Sequence, residues 1–362
     1  MEVSMRAGVV VTAQPGVEDL AVTAEKLGLH SFWVNDTPMV HGDPFVALSL
    51  CAKATSRIRL GIGVTSPALR SAPAAASGFA SLNALAPGRI ICGIGTGNTA
   101  RRTLGMRPTT AATVETFTAA LQDLCAGRTI EYREGDQVRD VRFLHAGAQT
   151  NTADPIEFVV AALGPKAAAV AGRRGTGLIS FGLLDPTAWH ALHDARRNAA
   201  RGTSRDPDSR TEPRADSYVV TALRILAEGE DPHSDAARDA TGHLVMSLLA
   251  FAADTAADTP AFADQLGPAE RETVHRLLDR RGTTANAPDR HTKLYPNYLG
   301  RIAPQDRDLI LPSLMNTLAL VGTEDDLRAR ITTLQQAGID ELLIQPVIDP
   351  RTEMAQLAKL LA

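Results

Sequence analysis

The amino-acid sequence predicts an α/β fold, a (β/α)8 TIM barrel with a helical insertion before its last αβ unit. Three observations point there. Short apolar runs that do not alternate with polar residues recur between longer helical patterns, as strands buried on both faces do in a parallel sheet. One joint recurs: EKLGLHSFWV, GRRGTGLISF and QQAGIDELLI each end a helix, place a glycine (Gly28, Gly175, Gly338) and enter an apolar strand. Glycine takes the left-handed backbone that closes a helix before a turn. Finally, 362 residues exceed the usual domain length, and one barrel with an insertion accommodates them.

In chain order, Val9-Val10-Val11 is the first candidate strand. Residues 17–27 follow as a helix, with Val17, Leu20, Ala21, Ala24 and Leu27 at helical spacing, and Gly28 stops it. Phe32-Trp33-Val34 is the next strand and 44–54 the next helix. Ile58 to Thr65, Ala72 to Leu85 and Ile90 to Ile94 read as strand, helix and strand. Later strands are expected at Ile156 to Ala162, Gly177 to Phe181, Ser217 to Thr221 and Glu341 to Gln345. Residues 200–214, polar with two prolines, read as a surface loop. Between Glu228 and Pro312, helical segments around 234–252 and 267–281 interrupt the alternation. Residues 1–362 therefore read as one domain, with 229–317 an insertion that caps the substrate side of the barrel.

Composition excludes several classes. Hydrophobic residues at 44% supply a core, and charged residues at 22% a soluble surface without wholesale disorder. A net charge of -4 and an aromatic content of 4% give neither the basic field nor the stacking platforms of a nucleic-acid binder. Cys51, Cys92 and Cys125 are odd in number and lack C-x-x-C spacing, so no disulfide framework or zinc cluster is expected. Cys51 and Cys92 read as small buried hydrophobes. The histidines show no metal-ligand spacing, and no metal is expected. Met1 to Val11 holds too short an apolar run for a signal peptide, and no run of 18 apolar residues suggests a transmembrane helix. A cytoplasmic enzyme away from the membrane is the expectation.

Four segments carry candidate chemistry. Asn35-Asp36-Thr37 closes the second strand, where barrels place their active sites, although an Asx turn or helix cap explains it equally well. In Gly61-Ile-Gly-Val-Thr-Ser-Pro-Ala-Leu-Arg70 two glycines break the third strand, as a bulge or a close backbone approach requires. A kinked corner would account for the glycines but not for Arg70 and the polar exit at Thr65 and Ser66, so a ligand-facing bulge is preferred. Gly93-Ile-Gly-Thr-Gly-Asn98 fails the dinucleotide fingerprint, because Asn98 stands where its last glycine belongs and the segment follows the fourth strand. It reads as an exit that lets a flat ring approach the backbone, with Asn98 serving the ring's polar edge. Arg101, Arg102 and Arg107 follow, either anchoring an anion or forming a solvated cluster. In Leu163-Gly-Pro-Lys166, Pro165 suits a first helical turn, Gly164 leaves the helix start uncluttered, and free N–H groups with Lys166 suit a phosphate. A routine capped turn also fits.

His193, His233, His243 and His275 fall in helical, polar surroundings and read as surface residues. His291 lies in Asp289-Arg-His-Thr-Lys-Leu-Tyr-Pro-Asn-Tyr298, a donor-rich run that is either a substrate wall or a packed surface loop. The chain carries no G-x-S-x-G, P-loop or Ser-His-Asp signal for hydrolysis or phosphoryl transfer.

The stretches KLGLHSFWVND, DPFVALSLCAKATSRIRLGIGVTSPALRSAPAAASGFASLNALAPGRIICGIGTGN, VVAALGPKAAAVAGRRGTGLI and LVGTEDDLRARITTLQQAGIDELLIQP resemble the luciferase-like monooxygenase superfamily. Within it they are most similar to the F420-dependent branch of methylenetetrahydromethanopterin reductase and F420-dependent glucose-6-phosphate dehydrogenase. Residues 229–317 match less well. The resemblance implies a bacterial-luciferase-like barrel whose carboxyl-terminal mouth holds a flavin-type ring. It implies that Asp36, Ser66 and Asn98 contact the cofactor, that Gly164 and Lys166 hold its phosphate end, and that a cis Gly63–Val64 bond backs the ring. Three positions depart from the family: Thr37 replaces a frequent histidine, Asn98 a frequent Asp or Glu, and Val10 an acidic residue seen in some members. With those groups neutral, proton handling falls to the insertion. His291 and Tyr295, with Thr37, are the catalytic candidates, and Tyr298 and Arg70 the substrate contacts.

The expected function is an F420-dependent oxidoreductase that transfers a hydride between the deazaflavin and a small organic substrate. A two-component monooxygenase using FMNH2 is the alternative cofactor reading. A non-catalytic flavin-binding barrel is a third, supported only by the neutral Thr37 and Asn98. The implied partners are a small-molecule substrate, a flavin or F420 reductase, and a second copy in a homodimer.

Overall fold

A computed structural model describes residues 5–145, 147, 149–202 and 215–362. Its strands are β1 (Arg6–Val11), β2 (Ser31–Val34), β3 (Arg59–Thr65), β4 (Ile90–Ile94), β5 (Ile130–Glu134), β6 (Gln137–Val141), β7 (Glu157–Ala161), β8 (Gly177–Phe181), β9 (Ser217–Thr221), β10 (Leu223–Ile225), β11 (Leu320–Gly322) and β12 (Glu341–Ile344). Eight of them close into a parallel barrel in the order β1-β12-β9-β8-β7-β4-β3-β2. The barrel strands and their helices fall where the hydrophobic pattern places them. All three repeated joints are present: Gly28, Gly175 and Gly338 have φ of 78°, 62° and 92°. At the first, Leu29 N–H donates to the Ala24 carbonyl and Gly28 N–H to that of Glu25, the paired closure of a helix end.

Two elements between β4 and β7 are additional to those expected. One is the helix Ala111–Cys125, with Val114, Phe117, Leu121 and Leu124 on its buried face, and the other the antiparallel β5–β6 hairpin, whose residues are largely exposed and therefore show no apolar face. The polar loop expected at 200–214 is described only at its start, where the helix Pro186–Arg201 ends; positions 203–214 lie outside the described residues, as do 1–4 of the amino-terminal segment.

Inward-facing side chains form a separate apolar cluster of Val10, Trp33, Ile91, Val159, Ile179, Tyr218, Val220 and Leu343. Trp33 dominates it, fully buried and edge-on to Tyr218 at 5.2 Å between ring centroids. The indole explains the glycines of β3. A Cβ on Gly61 would lie 2.3 Å from Trp33 Cε3, and one on Gly63 3.2 Å from it. The bulge expected in this strand exists, since the β3–β4 register shifts between Ile62 and Thr65 and the Gly63–Val64 bond is cis. Gly61, however, faces an indole of its own chain and not a ligand.

The amino-terminal end of the barrel is closed by a polar network. Trp33 Nε1 donates to Ser31 Oγ at 2.6 Å, and Ser31 donates in turn to Glu341. Tyr218 donates to Glu157 at 2.7 Å, and Arg59 pairs with the same carboxylate. Glu341 is fully buried, with Arg6 Nε 3.6 Å away, and its burial pushes the carboxyl up to about 8.

The short parallel pair β10–β11 brackets the insertion. Its helices Asp235–Asp258, Pro268–Arg280, Arg290–Leu294 and Pro312–Leu318 enclose a second core that includes Leu244, Leu249, Leu277, Ile310 and Met315. The helix Asp235–Asp258 is long and apolar enough to cross a membrane by length and composition, yet 67% of its apolar window is buried within the protein. It is the core helix of the insertion. Cys51, Cys92 and Cys125 are free and buried.

Two outcomes follow for stability. Gly61→Ala should cost about 1–3 kcal/mol by overpacking Trp33, measured by denaturant unfolding. Glu341 should make stability fall as pH rises from 4.5 towards 8, because the unfolded chain ionises at the ordinary value while the native carboxyl stays protonated to about 8. Glu341→Gln should flatten that slope; an unchanged slope would show that the carboxyl ionises normally in the fold.

Candidate functional site at the carboxyl end of the barrel

The carboxyl ends of the strands form a mouth walled on one side by backbone and small side chains. A Cβ on Gly93 would lie 2.4 Å from the Ile62 carbonyl oxygen, and one on Gly95 2.8 Å from Val64 Cγ2 and 3.2 Å from Ala161 Cβ. Trp33 fills the layer below, so this layer of Gly63, Val64, Gly93, Gly95 and Ala161 ends in a low wall.

Asp36 leaves β2 buried. It accepts from Thr65 Oγ1 at 2.7 Å and from Arg70 at 2.5 Å, while the other Arg70 nitrogen reaches Asp43 at 2.6 Å. The guanidinium lies over the Phe45 ring, 4.9 Å from its centroid. Burial raises the Asp36 carboxyl above its ordinary value, and Thr65 and Arg70 oppose the rise. Arg70, expected to meet substrate, is thus held by two carboxylates and fixes Asp36. Asn35 and Thr37 are buried beside it; the Thr37 carbonyl accepts from His41 N–H at 3.0 Å, and Asn35 Nδ2 has no hydrogen-bond partner.

Ser66 is fully buried against Gly97, whose φ is 71° and where a Cβ would lie 2.5 Å from Ser66 Oγ, so no side chain fits. Asn98 starts the short helix Asn98–Arg102, and its Oδ1 accepts from Arg102 Nε at 2.8 Å. On a separate strand end, Gly164 caps the helix Pro165–Arg174 without any side-chain hydrogen bond, and nothing lies within 4 Å of where its Cβ would be. Lys166 is exposed in the first turn.

The 289–298 run sits over the loops that follow β2 and β4. Tyr298 Oη accepts from Ser247 at 2.6 Å and shares a 2.8 Å hydrogen bond with Thr99, next to Asn98. The Tyr298 carbonyl lies 3.1 Å from His41 Nε2. Asp36, Thr65, Ser66, Asn98 and Tyr298 are therefore linked through adjacent contacts around one mouth. Tyr295 is tied elsewhere: its hydroxyl donates to Asp254 at 2.5 Å, beside Arg290 on the same carboxylate at 2.6 Å. Burial, then Asp254, raises its phenol and keeps it protonated. His291 packs on Gly105, whose Cβ would come within 2.8 Å of its Nδ1.

The surface reading of the other histidines fails at His243, which is buried, and burial pushes it down to about 3. The helix that carries it buries Asp239, Thr241 and His243 along with Leu244 and Val245, so polar composition misled the surface reading. His193 is also half-covered, 5.7 Å from the Trp189 ring and against Gly338. His41 is a further mouth residue that carried no sequence signal.

A cavity of about 360 Å³ beside the mouth is lined by Thr12, His41, Tyr298 and Gln345, among others. A larger one, about 750 Å³, opens at the opposite end against Arg6, His30 and Arg59. Chemistry in parallel barrels sits at the carboxyl ends of the strands, the end where the smaller cavity lies, although Asp36, Ser66 and Asn98 do not line it.

The family described as luciferase-like monooxygenase matches residues 7–341. The chain belongs to this family. An F420-dependent glucose-6-phosphate dehydrogenase of Kineococcus radiotolerans is 38% identical over 183 residues, 46% of this chain and 52% of that enzyme. The match thus spans about half of that relative's length. A 5,10-methylenetetrahydromethanopterin reductase of Methanolobus tindarius is 25% identical over 340 residues, 92% of this chain and 91% of the reductase. Among solved structures, an F420-dependent secondary alcohol dehydrogenase in complex with an F420-acetone adduct superposes with a TM-score of 0.68 at 16% identity, covering 99% of this chain and 98% of that one. At that identity the likeness shows the fold.

Tyr298→Phe should leave the Ser247 and Thr99 hydroxyls without their shared partner and cost about 1–3 kcal/mol. Faster amide exchange confined to 289–298 and the loop after β4 is the expected readout; unchanged protection would mean that the hydroxyl does not hold the cap.

Proposed function

We propose that the protein is an F420-dependent oxidoreductase that moves a hydride between the deazaflavin and a small organic substrate. The observation that carries the reading is the wall of Gly63, Val64, Gly93, Gly95 and Ala161 at the mouth, against which a flat ring can lie. The residues fit that group in two further ways. The orphaned Asn35 amide and the Asn98 side chain offer hydrogen bonds at the ring's polar edge. The uncapped start of Pro165–Arg174, with Lys166 in its first turn, offers free N–H groups and a positive charge to a phosphate. Both curated relatives described above are named for F420 or its methanopterin chemistry, and this supports F420 ahead of FMN.

The bound deazaflavin would supply the hydride chemistry at a ring carbon. The chain's own residues position and enclose it. Asp36, pinned by Thr65 and Arg70, presents a fixed acceptor; Ser66 follows Thr65, and Asn98 follows the Gly97 that packs on Ser66. The cap, tied down through Tyr298, Ser247 and Thr99, excludes water from the mouth. Tyr298 is the substrate-side contact of the insertion. Thr37 offers its hydroxyl, while Tyr295 and His291 act at one remove, on Asp254 and on Gly105. The family's description as monooxygenase favours a second reading, an enzyme using FMNH2 delivered by a reductase partner. Val46 and Leu50 on the helix Pro44–Ala54 and Leu85 on the neighbouring helix Ala72–Leu85 are exposed, and we assign this face to the contact of a homodimer.

Side-by-side titration of the protein with F420 and FMN tests the cofactor. Binding of FMN without binding of F420 would overturn the deazaflavin reading. Lys166→Ala should weaken cofactor binding by about 1–3 kcal/mol if a charge-assisted phosphate contact is lost. An unchanged Kd would make the turn purely structural.

A further inference from the structure

The helix Asp235–Asp258 runs across the barrel mouth. Near its start, the His243 ring lies beside the main chain of Gln345, which follows β12. One turn on, Ser247 reaches Thr99, which follows β4, through Tyr298. At its end, Asp258 pairs with Arg102. β12 and β4 stand diametrically opposed, with three strands between them in either direction around the barrel. The helix is therefore a beam over the mouth, and His243 and Ser247 lie on the stripe of it that looks down.

His243 is 1% exposed, and neither ring nitrogen has a hydrogen bond of good geometry. The side-chain amide of Gln345, 2% exposed, likewise has an unpartnered Nε2. Buried polar groups are normally hydrogen-bonded, and two neighbouring orphans at one strand end mark a place where a ligand completes the set. Burial holds the imidazole neutral at pH 7, so it offers one donor and one acceptor. That pair complements a hydroxyl or a carbonyl oxygen. It does not complement a carboxylate or phosphate, which call for a cation. Four arginines of the mouth and cap are already committed: Arg102 to Asp258, Arg290 to Asp254, and Arg301 and Arg307 to Asp239.

We propose that His243, with the Gln345 amide beside it, is the hydrogen-bonding partner of a hydroxyl or carbonyl oxygen on the substrate, so that the cap selects a neutral oxygenated molecule over an anionic one. A neutral imidazole in this place donates to a carbonyl oxygen and polarises it without a proton changing hands. The inference rests on the redox-barrel reading above.

The test uses the full chain labelled with 15N-histidine, with the His243 ring resonances assigned through His243→Leu. Cyclohexanol and cyclohexanone are the neutral probes, and acetate and inorganic phosphate the anionic ones, each added with and without F420. The His243 resonances should move with a neutral probe and stay in place with both anions. His243→Leu should bind the neutral probe about tenfold more weakly, as the loss of one neutral hydrogen bond predicts. His243→Gln, which keeps a donor and an acceptor, should stay within about threefold of the natural protein. Resonances that ignore both neutral probes, or that respond to acetate or phosphate instead, would overturn the proposal, as would unaltered probe affinity in His243→Leu. The F420 Kd of the same samples separates the two ideas. Absent F420 binding by the unaltered protein strikes at the cofactor reading, whereas intact F420 binding with a silent His243 strikes at this one alone.

Discussion

The fit of Trp33 inside the barrel is the constraint on which the rest of the site depends. An indole on β2 pointing at the axis fills most of one layer, and it can do so only because Gly61 and Gly63 on β3 present no side chain to it. Its Nε1 is buried and needs an acceptor, which Ser31 supplies while its own hydroxyl donates a hydrogen bond to Glu341. The same ring meets Tyr218 edge-on, and Tyr218 is anchored on Glu157. One aromatic residue thus joins the polar plug at the amino end to the small-residue layer at the carboxyl end. Bulk below lets the layer above be shallow, and a shallow layer is what a flat ring needs.

Most of the barrel was legible in the sequence because its strands are buried on both faces and end in fixed turn chemistry. A run such as Ile90 to Ile94 has no polar residue to confuse its period, and Gly28, Gly175 and Gly338 each mark a left-handed helix end that other residues adopt at a cost. The β5–β6 hairpin was not legible for the opposite reason. Its strands pack on little, so residues such as Arg133, Glu134 and Gln137 carry no alternating apolar code. The glycines of β3 were legible as a bulge, but the sequence could not say what occupies the space they vacate. That depends on Trp33, some 30 positions away, and becomes visible only once β2 and β3 are paired.

The candidate site was legible in halves. Asp36, Ser66 and Asn98 stand at strand ends, where the fold itself announces a mouth. The cap follows no such rule. His243 lies among small and polar residues, in Asp-Ala-Thr-Gly-His, which read as a solvent-facing turn of helix; that turn is covered from well downstream, with Ile302 and Ile310 lying against Gly242. Tyr295 is attractive as a titrating group, yet Asp254, 41 positions earlier, claims its hydroxyl. Pairings of this kind have no period. The cap is also dense in arginine–carboxylate pairs, as in Asp239 with Arg301 and Arg307, and such charges look available in sequence although they are spent on holding the insertion together.

The two halves are under different physical constraints, and this bears on how the protein can differ from its relatives. The barrel wall is over-determined: a Cβ added at Gly93 collides with backbone, and one at Gly97 with a buried Ser66, so this surface can hardly change without losing the fold. The cap meets the barrel through Tyr298 and the Arg102–Asp258 pair, and its core of Leu244, Leu249, Leu277 and Met315 also takes in Ala222 and Phe181 from the strand ends. Most of that core nonetheless comes from the insertion itself, so a change there reaches the barrel only through these few points. The helix carrying His243 and Ser247 is where the two halves meet, because one side of it satisfies the cap core while His243 and Ser247 on the other are buried against Gln345 and Tyr298.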